Sequence, residues 1–483
     1  MDLKRKIPYI TGLLLVSVLF VVTSENGFFW DTVQLGSEHA AFFLSTDFAR
    51  LLLPDSIDSG HIPAFGFYLG LAWKLFGRSL LVSHIAMLPF VAGILWQLSR
   101  LVGRFIPQKY SGWAFLMILA DPTVLSQMTL MSPDVPLMFF FLMGVNAVLE
   151  NKRTRLSAAV AFLFLTSMRG MMVATALFAA DITKNIFMTD RPGHRIQLFL
   201  KRLVIYLPAI LIFLSYNGYH FLVKGWIGFH KDSPWATLFE RVPLSGMAYN
   251  AGIIVWRLVD FGRAGIWILF LYLLLRYGRK IFRNDDIRFQ LYLFLLVTAL
   301  LSLSMVWAKN LLCHRYLLPA YISFSLLSAT ILFTSDAGRG FKTAGIAFWM
   351  VMLLAGNFWV YPEKIATGWD ATLAHLPYYS LRKEAIDYLD KKSIDFNGVQ
   401  SFFPDISSID DFDLNGDHRK FSDFDNTSRY VLYSNVFNIS DADYDIVKKD
   451  FSVVRHFRKG LVYVDVCRRN TDLPAGITHL PGD

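Results

Sequence analysis

The chain has 483 residues, of which 54% are hydrophobic and 18% are charged. Soluble proteins of this size carry about a quarter charged residues, so the composition excludes an ordinary soluble protein and predicts one embedded in a membrane. The net charge of +9 does not indicate nucleic-acid binding, because the basic residues are spread over short segments between apolar runs.

Apolar runs close to the roughly 20 residues that cross a bilayer recur along most of the chain. The sequence therefore predicts a polytopic α-helical membrane protein with about eleven transmembrane helices. The runs lie at 7–23, 79–98, 111–130, 134–149, 156–168, 171–188, 203–222, 263–277, 288–307, 316–333 and 343–360.

The basic residues indicate how the chain crosses the membrane. Lys4, Arg5 and Lys6 precede the first run, and no small-residue cleavage site follows it, so we expect an uncleaved helix with a cytoplasmic N-terminus. Basic residues recur at every second connection, which places those connections on the same side. We expect a multi-pass protein of the bacterial inner membrane whose C-terminal part is periplasmic or extracellular.

The chain divides into two predicted domains. Residues 1–365 form the transmembrane module, whose first outer loop is 24–78 and contains an amphipathic helix at 65–75 that lies in the interface. Residues 366–483 form a small soluble α/β domain on the outer side. Within it, helical spacing at 381–392 precedes β-rich runs at 399–403, 430–433, 453–457 and 461–466.

The first outer loop contains an acidic residue at the predicted end of the first helix. Asp31 directly follows Phe28, Phe29 and Trp30, aromatic residues typical of the headgroup level. A carboxylate at this level is partly desolvated, which favours a general base facing substrates at the interface. The alternative is an aspartate that caps the next helix, with Thr32 continuing it.

A second acidic segment lies later in the same loop, between Asp55 and Pro63. Its turn residues could present Asp58 and His61 together toward a phosphate or a metal ion. A stable metal site needs at least three protein ligands, so these two alone are a weak metal signal. The alternative is a solvated turn before an interfacial helix.

Cationic side chains occur in two further outer turns. Arg169 lies between two short apolar runs, and Lys309, His314 and Arg315 lie between two later runs. Such cations either anchor the helices by snorkelling or bind a lipid phosphate. Arg315 is the better phosphate ligand, because a guanidinium can bind in a bidentate manner.

Taken together, these motifs resemble the GT-C glycosyltransferases, in the branch of protein O-mannosyltransferases and the lipid A aminoarabinose transferase. The resemblance covers about the first 360 residues. Its motifs are Asp31 after the first helix, His61-Ile62-Pro63 before a helix ending Leu75-Phe76-Gly77, Pro133-Asp134-Val135-Pro136-Leu137, and Arg315-Tyr316-Leu317-Leu318-Pro319.

The resemblance implies inverting transfer of one sugar from a polyprenyl-phosphate donor to a protein, lipid or glycan acceptor on the outer face. The general base would be Asp31, alone or with Glu38, because family members often have Asp-Glu where this chain has Asp31-Thr32. Arg315, Arg169 or His61 would stabilise the departing lipid phosphate, with Asp58 and Lys309 as further candidate contacts. No cofactor is required, and a divalent metal held by Asp58 and His61 stays an open alternative.

Two other classes of protein fit parts of the pattern. A transporter or flippase of lipid-linked sugars would carry ionisable groups near the membrane midplane and often has related halves. This chain has its charges at the ends of the apolar runs and shows no evident repeat. An assembly protein that recruits a partner through its tail would leave the first-loop acids without a role.

Overall fold

The computed structural model describes residues 3–187, 195–228, 230–231, 236, 240–309 and 312–472. Fifteen helices come before the C-terminal sheet region in the described part of the chain. They are α1 (Leu3–Thr23), α2 (His39–Ser45), α3 (Ala64–Phe76), α4 (Leu80–Phe105), α5 (Gln108–Leu119), α6 (Pro122–Met128), α7 (Asp134–Leu149), α8 (Arg153–Thr166), α9 (Met168–Ile182), α10 (Arg195–Lys224), α11 (Leu244–Val259), α12 (Arg263–Ile281), α13 (Asp285–Trp307), α14 (Leu318–Thr334) and α15 (Arg339–Gly356).

In the described residues, each of the eleven predicted apolar runs overlaps one or more helices, but not all of these helices are long enough to span a bilayer. Within the described residues, five helices have sufficient length and hydropathy, and α11 and α12 make a sixth span if the pair, bent by 86°, is counted as one. The five are Lys6–Thr23, Leu80–Phe105, Arg195–Lys224, Asp285–Trp307 and His314–Thr334. The chain is thus a polytopic helical membrane protein, and eleven crossings stay a prediction.

The run at 111–130 divides into two helices for a local reason. Asp121 caps α6, its carboxylate accepting hydrogen bonds from the backbone N–H groups of Thr123 and Val124. Pro122 occupies the first position of the helix, where a missing N–H costs nothing. The capping residue Asp121 also forms an ion pair, in which Arg263 donates to both of its carboxylate oxygens at 2.7 Å.

The helices differ in how much of their surface is covered. In α14, 94% of the membrane-length window is buried, whereas the corresponding fraction is 22% in both α1 and α10. A helix that is apolar on every side and buried on every side belongs to the centre of a bundle. α14 is therefore central, and α1 and α10 present most of their surface to the surroundings.

The first outer loop folds against the helix ends. A turn of π-helix at Val33–Glu38 runs directly into α2, and α2 packs on α3. A Cβ at Gly66 of α3 would lie 2.3 Å from the Cβ of His39, so this close approach requires glycine. The amphipathic helix predicted at 65–75 is present as α3.

The C-terminal region contains a five-stranded mixed sheet in the order β2-β1-β3-β5-β4. Its central strand β3 is parallel to β1 and antiparallel to β5, and all four predicted strands are present. The strands are β1 (Val399–Ser401), β2 (Ser422–Asp423), β3 (Tyr430–Ser434), β4 (Phe451–Lys459) and β5 (Val462–Arg469), and the helices are α16 (Tyr378–Lys391), α17 (Ile409–Asp413) and α18 (Asp441–Asp450).

This sheet region is attached to the helical part by polar contacts as well as by the chain. The backbone N–H of Phe28 donates to the carbonyl of Phe412 at 2.9 Å, beside the end of α1. Arg78 pairs with Asp410 of α17 at 2.8 Å. The C-terminal region thus covers the helix ends at which the first outer loop lies.

Candidate active site

Five ionisable side chains from five separate segments meet at the helix ends that face the C-terminal region. We call Asp31, Asp134, Asp370, Arg169 and Arg315 the carboxylate–arginine cluster. Asp134 opens α7 and Arg169 is the second residue of α9, while Arg315 and Asp370 lie in short 3₁₀ turns at His314–Leu317 and Trp369–Ala371. The two turns precede α14 and follow α15, so the fold assembles residues up to 339 positions apart, from Asp31 to Asp370.

Asp31 enters the cluster from a constrained turn. Trp30 has a φ of 51°, a left-handed conformation that is costly for a residue with a Cβ. The turn is stabilised by Thr32, whose hydroxyl accepts from the N–H of Phe29 and donates to its carbonyl, both at 2.8 Å. The Asp31 side chain points to Arg315 and forms an ion pair with it.

Arg315 is the centre of the cluster. It is only 2% exposed, and its Nε lies 3.1 Å from a carboxylate oxygen of Asp370 and 3.9 Å from one of Asp134. Its Nη2 contacts Asp31. Among the described residues the Nε group has no hydrogen-bond acceptor in good alignment. One buried guanidinium is therefore shared by three carboxylates.

Arg169 supplies the second positive charge. Its guanidinium bonds both oxygens of Asp134, at 2.5 and 3.3 Å, in a bidentate arrangement. It also lies 4.2 Å from the ring centre of Tyr316, a cation–π contact that fixes the plane of the guanidinium. Asp134 thus has a dedicated partner, whereas Asp31 and Asp370 both depend on Arg315.

Asp370 has the least satisfied carboxylate of the three. In the described part of the structure, neither of its oxygens accepts a hydrogen bond, although the residue is only 1% exposed. Burial raises the pKa of Asp370 to about 6, with Arg315 opposing the rise and the charges of Asp31 and Asp134 adding to it. Three acids and two arginines give the cluster a formal charge of −1 when every group is ionised, and protonation of Asp370 removes that excess.

His61 lies near the cluster, and Asp58 interacts with it while pairing with other side chains. His61 is buried, which lowers its pKa to about 4, so it is a neutral imidazole at pH 7. Asp58 contacts Lys224 of α10 and lies 3.1 Å from Nε2 of His220. Asp58 also accepts from the N–H of Gly60 at 2.9 Å, so it orders the turn and holds α10 to the first outer loop.

Two other predicted site residues lie outside the cluster. Glu38 accepts a hydrogen bond from Ser407 of the C-terminal region at 2.9 Å, and burial raises the pKa of its carboxyl. Lys309 pairs with Glu240 at 2.9 Å, and both side chains are 54% exposed. The structure therefore brings together Asp31, Arg169 and Arg315, and leaves Glu38 and Lys309 apart from them.

Asp58 and His61 are the candidate metal ligands of the first outer loop. Within the described ranges, no group of three or more His, Cys, Asp or Glu side chains has the geometry of a metal site. Asp58 already pairs with Lys224 and His220. Within that part of the chain, the two candidates have no third protein ligand of the kind that a stable site needs.

Two members of the cluster were not among the predicted site residues. Asp134 belongs to the Pro133–Leu137 motif. The sequence feature that could have identified it as a site residue is its position at the start of an apolar run, on the predicted outer side. Asp370 lies in Gly368-Trp369-Asp370, which matches no motif. The only signal for Asp370 was an acid shortly after the last apolar run, where the chain returns to the helix ends.

Fold and cluster together define a polytopic membrane protein with a buried cluster of ionisable side chains at the helix ends that its C-terminal sheet region covers. ArnT from Cupriavidus metallidurans bound to undecaprenyl phosphate has this fold: 95% of this chain aligns with 97% of that chain at 11% identity and a TM-score of 0.50. The apo form of the same protein aligns over the same shares at 13% identity and a TM-score of 0.50. The chain therefore shares the fold of this ArnT structure, which confirms the resemblance at the level of the fold.

A third solved structure is less similar, and the sequence comparisons found no match. The apo oligosaccharyltransferase of Archaeoglobus fulgidus aligns with 81% of this chain and 62% of its own at 11% identity and a TM-score of 0.32. No protein-family model and no curated protein matches the sequence.

Proposed function

We propose that the protein is an inverting glycosyltransferase that moves one sugar from a polyprenyl-phosphate donor to an acceptor, with Asp31 as the general base. The observation that carries the proposal is the buried contact of Asp31 with Arg315, at the helix ends beneath the C-terminal region. Through this contact the proposed proton acceptor, Asp31, lies directly beside the proposed phosphate ligand, Arg315. The GT-C fold, seen in ArnT with undecaprenyl phosphate bound, is its second support.

The first step is the arrival of the donor phosphate at the arginines. A donor phosphate competes with Asp31 for Arg315, because both offer oxygens to the same guanidinium. Each Arg315 N–H that turns to the phosphate leaves Asp31 with less stabilisation of its negative charge, and Asp31 becomes a stronger proton acceptor. Binding of the donor would thus activate the base that the reaction needs.

The second step is a single displacement at the anomeric carbon. The acceptor hydroxyl oxygen forms a bond to this carbon while its proton passes to Asp31, and the bond from the carbon to the phosphate oxygen breaks. The electron pair leaves with the lipid phosphate, whose added charge is stabilised by Arg315 and Arg169. Attack from the face opposite the leaving group inverts the configuration, as in inverting glycosidases.

The neutral His61 has a different role from the arginines in this scheme. A neutral imidazole donates one hydrogen bond but carries no charge, so His61 would orient a phosphate oxygen rather than neutralise it. Asp58 and Lys224 would act one step further away, by fixing the turn that bears His61. We further propose that the site faces the outer side of a bacterial inner membrane.

A donor labelled separately in its sugar and its lipid tests this function. Purified protein in vesicles is supplied with the donor and with membrane extract as acceptor, and the two labels are followed. We expect the labels to separate, the sugar joining the acceptor and the lipid remaining as polyprenyl phosphate. Movement of both labels together across the vesicle, without cleavage, would identify a transporter instead.

A further inference from the structure

Asp370 lies in the linker between α15 and the C-terminal region, and its place in the cluster is fixed by its backbone. The carbonyl of Asp370 accepts from the hydroxyl of Ser126 at 2.8 Å and from the amide of Gln127 at 2.9 Å, both in α6. A Cβ at Gly368, whose φ is 68°, would lie 2.6 Å from Nδ1 of His314. The linker is thus held against the turn that carries Arg315.

The side chain of Asp370 is held less firmly than its backbone. Its oxygens accept no hydrogen bond within the described residues, and the nearby Nε of Arg315 makes none either. The 3.1 Å separation of these two groups is short enough for a strong bond, so their alignment is what fails. An unsatisfied donor and acceptor side by side in a buried site can reach a bond by a small rotation.

Arg315 therefore has two arrangements available to it. In the first it pairs with Asp31, as in the structure, and in the second it turns toward an ionised Asp370. We propose that Asp370 competes with Asp31 for Arg315 and thereby controls whether Asp31 is free to accept a proton. This inference rests on the proposed function, in which Asp31 is the base, and assigns Asp370 a positioning role.

The competition depends on the charge of Asp370. A protonated Asp370 exerts no charge attraction on Arg315, so Asp31 keeps its partner and accepts protons poorly. An ionised Asp370 draws on the same guanidinium and releases part of Asp31. The groups coupled by charge to Asp370 are Arg315, Asp31, Asp134, Arg169 and the thiol of Cys313. The turns packed against it add His314, Tyr316 and His375, while α6 contributes no titratable side chain.

The inference predicts a pH dependence of kcat/KM. The pKa of Asp370, about 6, places the transition in kcat/KM inside the range of pH 5 to 8 used in this test. We expect kcat/KM of the wild-type protein to fall about tenfold per pH unit below that value and to level off above it. A sugar–phosphate–polyprenyl donor is a phosphodiester with no ionisation near this pH, so the transition reports the free enzyme.

The Asp370→Asn variant separates this role from simple packing, because asparagine has nearly the same shape and never ionises. We expect its kcat/KM at pH 8 to be at least about tenfold below wild type and almost independent of pH between 5 and 8. Asp370→Glu should restore a transition, although at a shifted pH. Asp336→Asn, which changes an exposed carboxylate paired with Lys280, is the matched control and should leave the profile unchanged.

The outcomes distinguish the inference from the function on which it rests. No transfer by wild-type protein at any pH would contradict the proposed function. Transfer with a wild-type profile in Asp370→Asn would overturn only the role of Asp370. Should that variant not fold, a flat wild-type kcat/KM between pH 5 and 8 would overturn the role equally.

Discussion

Replacing Asp370 by asparagine should stabilise the protein at neutral pH, against the usual effect of changing a buried residue. The folded protein raises the pKa of Asp370 from 3.8 to about 6, because burial disfavours the charged form. The folded state therefore binds this proton more tightly than the unfolded chain. The stability that the proton contributes is complete below about pH 4 and is lost as the pH rises through about 6.

The magnitude follows from that difference. A rise from 3.8 to about 6 corresponds to roughly 3 kcal/mol of cost for an ionised Asp370, at about 1.4 kcal/mol per pH unit. No correction for solvent screening is needed, since the residue is 1% exposed. Asparagine carries no such cost. The free energy of unfolding of the variant minus that of the wild type should thus be about 2 kcal/mol larger at pH 7.5 than at pH 4.5.

The assay is thermal unfolding of wild type and Asp370→Asn in the same detergent, at half-unit intervals from pH 4.5 to 7.5. Apparent midpoints at one heating rate suffice, because unfolding of a membrane protein is often irreversible and only the difference between variants is needed. We expect the midpoint of the variant to rise above that of wild type as the pH increases. A difference that does not change with pH, or a variant that is less stable at pH 7.5, would refute the reasoning.

Three further substitutions test other parts of the account. Asp31→Asn should lower kcat by at least about 100-fold without weakening donor binding, because it removes the base, keeps the shape and no longer competes as an anion for Arg315; full turnover would remove Asp31 from that role. Arg169→Gln should raise KM for the donor and leave Asp134 without its partner, and Arg169→Lys should restore only part of the affinity, since lysine cannot bind in a bidentate manner; equal KM values for all three proteins would contradict this. Arg78→Gln should cost about 1–3 kcal/mol by leaving the Asp410 carboxylate without its cation and should speed proteolysis of the C-terminal region; cleavage at the wild-type rate would show that this pair does not hold the domain.

The positions of the helices could be read from the sequence, because hydrophobic runs are set by local composition. The segment of α11 was missed for the same reason. It contains Arg257 and lies between the predicted runs 203–222 and 263–277, yet Arg257 is buried and donates to the carbonyl of Leu312 at 3.2 Å. A buried partner supplied by a distant segment cannot be seen in a local window.

The candidate site could be predicted only in part. Asp31, Arg169 and Arg315 were identified because they share one side of the predicted topology. A shared side of the membrane does not determine how far apart two residues lie. Glu38 is on the same predicted side but bonds to Ser407 instead of joining the cluster. Asp370 could not be found, because its place depends on a linker folded back by α6, a tertiary contact without a motif.

The configuration of the transferred sugar tests the central claim most directly. A polyprenyl-phosphate sugar of one known anomeric configuration is incubated with the purified protein and membrane extract, and the product linkage is determined by NMR coupling constants. A single displacement with Asp31 as base predicts the opposite configuration in the product of the wild-type protein, and at least about 100-fold slower product formation by Asp31→Asn. A product that keeps the configuration of the donor would contradict the proposed mechanism.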